Sequence, residues 1–278
     1  MPLASGRVFA SKRAMSVWLI AFILGIVEGI TEFLPVSSTG HLLVAEHLMR
    51  IHQSDLYNIV IQCGAVIAVI PLFPERMRQL LHWREDAQAR DFIFKVLVAF
   101  AITGAGGLIL DKKGFKLPEE VLPIALALLI GGVLFLAVET WLAGRKTNDN
   151  ITWTIVAAVG IGQLLAAIFP GTSRSGSTIL LMLALGMGRA AATEFSFLVG
   201  IPTMLAAGGW KIFKAFHHPP PGAVPENWGA LALCTIVSAI VSFIAVKWLL
   251  GFVRTHTFKG FGWYRVAIGL VMLIFFLH

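Results

Sequence analysis

The chain has 278 residues, 57% of them hydrophobic and 13% charged, with a mean hydropathy of +0.82. A soluble domain of this length carries roughly twice that charged fraction. The apolar residues also fall in long blocks rather than amphipathic stripes, so a water-soluble fold is excluded and an all-α, polytopic integral membrane protein is predicted. The net charge of +7 does not point to nucleic acid, because the lysines and arginines lie mainly in short loops, as they do beside anionic lipid.

Residues 1–15 read as an N-terminal tail. Arg7, Lys12 and Arg13 precede an apolar run from Val17 to Val27, a pattern shared with secretory signals. No small-residue cleavage pattern follows, and Glu28 and Glu32 end the run, so an uncleaved tail leading into the first helix is expected. An interrupted apolar stretch over 17–48 comes next, then predicted spans over 57–74, 92–110 and 121–143. The basic loop from Pro74 to Asp91, with Arg76, Arg78, Arg84 and Arg90, is assigned to the cytoplasmic side; a shorter loop carries Lys112, Lys113 and Lys116. A second interrupted stretch, 151–188, precedes predicted spans over 194–216, 228–253 and 261–278. His217 to Pro225 reads as a rigid loop by composition. Cys63 and Cys234 lie within hydrophobic segments and are expected to be inert, buried thiols.

The two interrupted stretches resemble each other. Gly25 to Pro35 (GIVEGITEFLP) aligns with Gly160 to Pro170 (GIGQLLAAIFP) at an offset of 135, pairing Glu28 with Gln163 and Pro35 with Pro170. Ser/Thr/Gly runs follow in both, then a short helix-like run, a polar hinge and three long apolar segments. Duplication is the better account of that shared order, with one repeat over 16–145 and the other over 146–278. Three spans per repeat is an odd number, so the copies are expected to be inverted across the bilayer within one membrane domain. Each arm of an interrupted stretch is about a dozen residues, too short to span as a helix. Both stretches are therefore predicted to be re-entrant helix–loop–helix hairpins, beside about six full spans. Paired broken segments of this kind point to a midplane site, and their tips must be buried in protein or line a wet cavity.

The first tip reads Glu28 to His41, EGITEFLPVSSTGH. Glu28 and Glu32 are four apart, so their carboxylates share a helix face. Two like charges at membrane depth are costly, and a divalent cation relieves both penalties, since Mg²⁺ is commonly held by one or two carboxylates plus phosphate. The competing reading is that they line a water-filled cavity or cap the next helix. Ser37, Ser38 and Thr39 can cap a helix whose N-terminus is a ready anion site. His41 sits three residues after Ser38, a spacing from which an imidazole can reach the hydroxyl, and with a carboxylate nearby this is the logic of an activated nucleophile.

The second tip reads Phe169 to Thr178, FPGTSRSGST. Its glycines let backbone N–H groups curl around an anion, and the Arg174 guanidinium is suited to bidentate phosphate binding. The alternative is a structural ion pair of Arg174 with Glu28 or Glu32, with which the surrounding hydroxyls agree poorly. Together the tips supply carboxylates, a metal position, a hydroxyl or activated water, a base and an anion clamp. Those are the parts of a phosphoryl-transfer site, and in so apolar a protein the substrate is expected to be a phosphorylated lipid. Glu139, near the end of a span beside Trp141, reads as interfacial, and Glu194 as an acid favouring a helix start.

At these residues the sequence resembles the BacA/UppP family of undecaprenyl pyrophosphate phosphatases. EGITEFLPVSSTGH (Glu28 to His41) is similar to the family's first motif, PGTSRSGST (Pro170 to Thr178) to its second, and EFSFLVGIP (Glu194 to Pro202) to a third segment. The resemblance runs from about Ser16 to the C-terminus. It implies hydrolysis of undecaprenyl pyrophosphate to undecaprenyl phosphate and inorganic phosphate, which recycles the lipid carrier of peptidoglycan synthesis, and bacitracin resistance when the protein is abundant. It further implies dependence on a divalent cation (Mg²⁺ or Ca²⁺) and a site facing the periplasm from a bacterial inner membrane. Carried over by motif, Glu28 and Glu32 are metal-linked or acid/base carboxylates and Ser38 is the candidate nucleophile with His41 its partner. Arg174 is the pyrophosphate clamp, and Ser37, Thr39, Ser173, Ser175, Gly176 and Thr178 support substrate binding. Serine attack and water attack both stay open, as does the oligomeric state, a homodimer included.

Two rival readings are separable. A lipid transporter or flippase explains inverted repeats with a midplane site but not the serine–histidine–carboxylate cluster. An acid-phosphatase-like membrane phosphatase needs a second histidine downstream of its serine–arginine motif, and none follows Arg174 before His217. No G-x-x-x-x-G-K-[ST] segment is present, so an ATP-driven pump is unsupported.

Overall fold

The computed structural model describes residues 15–114, 120–217 and 226–276, the last two as backbone. The predicted N-terminal tail up to residue 14, Lys116 and most of the His217 to Pro225 loop lie outside the described residues. The described chain is helical: α1 Val17–Thr31, α2 Ser38–Met49, α3 Asp55–Val69, α4 Pro74–Leu81, α5 Ala87–Lys112, α6 Val121–Leu142, α7 Trp153–Ile168, α8 Arg174–Ala184, α9 Arg189–His217, α10 Trp228–Phe252 and α11 Lys259–Phe276. A single 3₁₀ turn, Ile70–Leu72, extends α3. Five of these elements, α3 with its 3₁₀ extension and α5, α6, α9 and α10, are long and apolar enough to cross a membrane. The remaining predicted span is α11. Large apolar side chains such as Ile130, Ile236, Ile240 and Ile244 stand exposed along them, as on helices that meet lipid tails. The protein is a multi-pass, all-α membrane protein.

Two span starts differ most from the sequence expectation. Helix α5 begins at Ala87, not residue 92, because the Asp86 side chain accepts a hydrogen bond from Gln88 N and so starts the helix within polar sequence. Helix α9 begins at Arg189, not 194. Glu194 lies a turn inside α9 and pairs with Arg76 Nε at 2.7 Å, tying the α4 segment to α9.

The interrupted stretches form helix–break–helix hairpins. Helices α1 and α7 have 15 and 16 residues and α2 and α8 have 12 and 11, all short of the roughly 20 that cross the hydrocarbon. Both breaks follow one design. Proline (Pro35, Pro170) stops the first arm, and a serine with positive φ (Ser37, 75°; Ser173, 68°) starts the second. Each serine caps its helix, Ser37 Oγ accepting from Gly40 N at 3.3 Å and Ser173 Oγ from Gly176 N at 3.1 Å. A non-glycine residue in this backbone region is strained and persists only where its surroundings over-determine it.

Close packing is built on small residues, as expected where lipid is as apolar as the core. Gly25 and Gly29 let α1 lie against the α10 backbone at Cys234 and Ser238, and Gly132 and Gly262 do the same between α6 and α11. Helix α1 starts beside the start of α10, where Trp18 meets Gly229, at the end of the bundle where Ser54 donates to Glu226. Helix α7 instead starts beside the start of α5, with Trp153 against Phe94, at the end that carries the Arg76–Glu194 pair. The hairpins thus open at opposite ends of the bundle and meet inside it. Cys234 is buried, Cys63 half-buried, and both are free thiols.

Glu139, near the end of α6, is enclosed by protein there. It is fully buried, accepts from Arg189 Nε at 2.8 Å and Nη2 at 2.5 Å, and also from Phe258 N at 2.8 Å. The reason is tertiary: the α8–α9 and α10–α11 turns close over the end of α6 and supply its donors. Breaking such a pair from one side leaves the other group without a partner, so Glu139→Ala is expected to cost about 3 kcal/mol. A detergent denaturation series checks this, and an unchanged midpoint would show that the pair adds nothing to the fold.

Candidate active site

The first hairpin delivers two acids and a hydroxyl to the bundle centre. Glu28 occupies the last turn of α1 and is 0% exposed; among the described residues neither carboxylate oxygen has a hydrogen-bond partner. Glu32, one turn on, caps α1. Its Oε2 accepts from Ser38 Oγ at 2.7 Å and its Oε1 receives Arg174 Nη2 at 3.4 Å, a long contact. The acids of one hairpin and the guanidinium of the other, 142 residues apart in the chain, therefore share one site.

Arg174 is the first residue of α8. The side chain is 14% exposed and lies over the Phe33 ring at 5.5 Å. Space for it comes from Gly200 on α9, where a Cβ would sit 1.9 Å from Nη1. Nε and Nη1 have no partner among the described residues, so the structural ion pair weighed from the sequence exists but uses one corner of the guanidinium. Buried polar groups are almost always satisfied. Here two groups stand unsatisfied among the described residues: both oxygens of Glu28, one turn before Glu32, and Nε and Nη1 of Arg174, which bonds Glu32.

The remaining predicted residues divide. Ser37 is consumed as a cap, and Thr39 is exposed on the first turn of α2. Ser175 Oγ donates to Leu34 O at 3.2 Å, linking the two tips, and Ser173 Oγ lies 3.1 Å from Ser175 Oγ. Gly176 gives its N–H to the Ser173 cap. Thr178 points away from the acids, bonding Arg174 O and Ser196 Oγ. His41 does not reach Ser38. Its Nδ1 lies 2.7 Å from Ser37 O and its Nε2 2.7 Å from Tyr264 Oη, with the rings stacked. A carbonyl only accepts, so Nδ1 carries the proton and Nε2 of the neutral ring accepts from the tyrosine hydroxyl. The expected Ser38–His41 contact is thus replaced by Ser38–Glu32, because the α2 helix turns the imidazole outward toward α11.

Tyr264 and its neighbour Arg265 were not anticipated. Arg265 is 0% exposed, and among the described residues its guanidinium donates only to backbone carbonyls: Pro35, Ala127, Gly171 and Thr172. The available signal was a lone arginine within the final apolar segment, since an ionisable residue in a span is a functional candidate by default.

Among the described residues no group of three or more His, Cys, Asp or Glu gathers as a metal site. Glu28 with its two unpartnered oxygens, one turn from Glu32, does fit a hard divalent cation that draws its other oxygen ligands from phosphate and water.

Comparison with known proteins gives one consistent answer. Residues 21–271 match the family model of the bacitracin resistance protein BacA. The chain is 51% identical over 258 residues to an undecaprenyl-diphosphatase of Rhizobium etli, covering 92% of this chain and 96% of that one. It is 46% identical over 254 residues to an undecaprenyl-diphosphatase of Xylella fastidiosa (91% and 96% covered). A third, from Xanthomonas axonopodis pv. citri, is 44% identical over 261 residues (94% and 97% covered).

Proposed function

We propose, from the premise that this chain belongs to the bacitracin resistance protein BacA family, that it hydrolyses undecaprenyl pyrophosphate to undecaprenyl phosphate and inorganic phosphate. The lipid carrier of peptidoglycan synthesis is thereby recycled, and bacitracin resistance follows when the protein is abundant. One observation carries the chemistry: Glu28, one turn before Glu32, and Arg174, which bonds Glu32, are both buried and largely unpartnered among the described residues, while Glu32 itself already accepts a serine hydroxyl. A bound pyrophosphate would place its oxygens on the free Arg174 donors, and Glu28 would be free to hold a divalent cation.

In this mechanism Arg174 holds the terminal phosphoryl group, with the N-termini of α2 and α8 directed at its charge. Ser38 Oγ attacks the terminal phosphorus while its proton passes to Glu32. The bond from that phosphorus to the bridging oxygen breaks, undecaprenyl phosphate leaves, and water then cleaves the phosphoserine. Glu28 and Glu32 would hold a divalent cation, whose chemistry when bound would be neutralisation of phosphate charge. Ser37, Thr39, Ser173, Ser175, Gly176 and Thr178 shape the two tips around the phosphates, and His41 with Tyr264 closes one flank.

The two hairpins are read as inverted copies, residues 16–145 and 146–278. With the Pro74–Asp91 loop in the cytoplasm, the first hairpin enters from the outer side of a bacterial inner membrane, and the site faces the periplasm. Binding partners under this reading are the lipid substrate and bilayer lipid, with no nucleic acid, and a homodimer is compatible with it. The deciding measurement is inorganic phosphate release from a polyprenyl pyrophosphate by the purified protein in detergent with Mg²⁺ or Ca²⁺. Turnover is expected; a folded protein that moves the lipid but releases no phosphate would make it a transporter instead.

A further inference from the structure

We infer that Arg265 is a positioning residue for this reaction, a strut that fixes the two re-entrant tips in register. The inference rests on the phosphatase reading and goes beyond it.

The guanidinium of Arg265 reaches three separate parts of the chain. Nη1 donates to Pro35 O at 3.0 Å in the first tip, and Nη2 to Thr172 O at 3.1 Å and Gly171 O at 3.4 Å in the second. Nη2 also donates to Ala127 O of α6 at 3.1 Å. No carboxylate pairs with it among the described residues, and Nε has no partner. An uncompensated guanidinium with no exposed surface is costly to place in an apolar bundle, and ordinary core packing gives no reason for it. Geometry supplies one. Pro35 O lies two residues before Ser37, and Thr172 O immediately precedes Ser173, the two positive-φ residues from which α2 and α8 start. The planar fork of arginine, with fixed divergent donors, holds both backbones at once, whereas an ammonium is a single point of attachment. It also lies under the first turn of α8, where a Cβ on Gly176 would sit 3.1 Å from Nη1. Arg265 therefore acts through the tips: it sets the distance between Ser38 with Glu32 on one side and Arg174 on the other.

The structure provides a way to move this strut without removing it. Gly131 of α6 faces the guanidinium, and a Cβ there would lie 2.2 Å from Nη2, so Gly131→Ala must displace the fork while alanine favours the helix. Gly104 has open space around it, and Gly104→Ala is the matched control. In detergent with a polyprenyl pyrophosphate, Gly131→Ala is expected to lower kcat by about 10²-fold, the scale of a roughly 1 Å misplacement. KM and the melting temperature should stay close to those of the parent, and Gly104→Ala should match the parent throughout. Arg265→Lys, which keeps charge and loses the fork, should show the same kcat defect. Parent kcat in either Gly131→Ala or Arg265→Lys overturns the inference, since the fork is then unnecessary. So does a rise in KM at unchanged kcat, which would make Arg265 a substrate contact, and so does unfolding of Gly131→Ala, which would make it a fold element alone. If Arg265→Lys does not fold, Gly131→Ala still decides the matter. Failure of the phosphatase reading looks different, because the parent itself would then release no phosphate.

Discussion

Alanine at Arg174 is expected to lower phosphate release by about 10³-fold while the protein stays folded and membrane-inserted, the lower part of the range for an arginine that stabilises transferring phosphoryl charge. The expectation follows from how the side chain is kept. Burial by Phe33 and α9, with Nε and Nη1 unpartnered, preserves donors for a ligand instead of spending them on the fold. A purely structural role has a different signature. If the Glu32 contact at 3.4 Å were the purpose of Arg174, its removal would strand a buried acid and lower the melting temperature, and adding Glu32→Gln would restore stability. On the clamp reading the single variant is stable and inactive, and the double variant is inactive too. Near-parent turnover in Arg174→Ala would remove it from the chemistry altogether.

Chelation of divalent cations is the second large effect, with activity expected to fall to background in excess EDTA and to return with Mg²⁺ or Ca²⁺. The buried, unpartnered carboxylate of Glu28 gives this a readout independent of turnover. A ligand bound by the folded state alone at a hundred times its Kd stabilises by about 2.7 kcal/mol, so added cation should raise the melting temperature of the parent. Glu28→Gln removes the charge that attracts the cation. It should abolish that rise. Activity that persists in EDTA, or an equal thermal response in Glu28→Gln, would take the metal out of the mechanism.

Legibility from sequence followed the range of the interaction. The span of α6 was placed to within a residue at its C-terminal end because hydropathy is a local property, while α5 started earlier than expected because the Asp86 cap precedes the apolar run. The hairpin breaks were legible from Pro35, Pro170 and the serine-rich runs. The burial of Glu139 was not legible because its partners Arg189 and Phe258 come from turns 50 and 119 residues away. His41 was assigned to Ser38 by helical spacing, and an aromatic ring on α11 took it instead. The same distance hid Arg265, whose carbonyl partners are 93 to 230 residues away and carry no side-chain signature at all.

Composition and motif alone determined that the chain lives in lipid, that two broken segments carry its polar chemistry, and which acids and which arginine to watch. These are statements about transfer free energy and local backbone preference, which each residue carries with it. Only the tertiary structure decided that Glu32 serves Ser38, that His41 serves Tyr264, and that two donors of Arg174 and both oxygens of Glu28 are left without partners. Those outcomes depend on where helices distant in sequence come to lie, and directional hydrogen bonds register differences of an ångström that no pattern of residue types encodes.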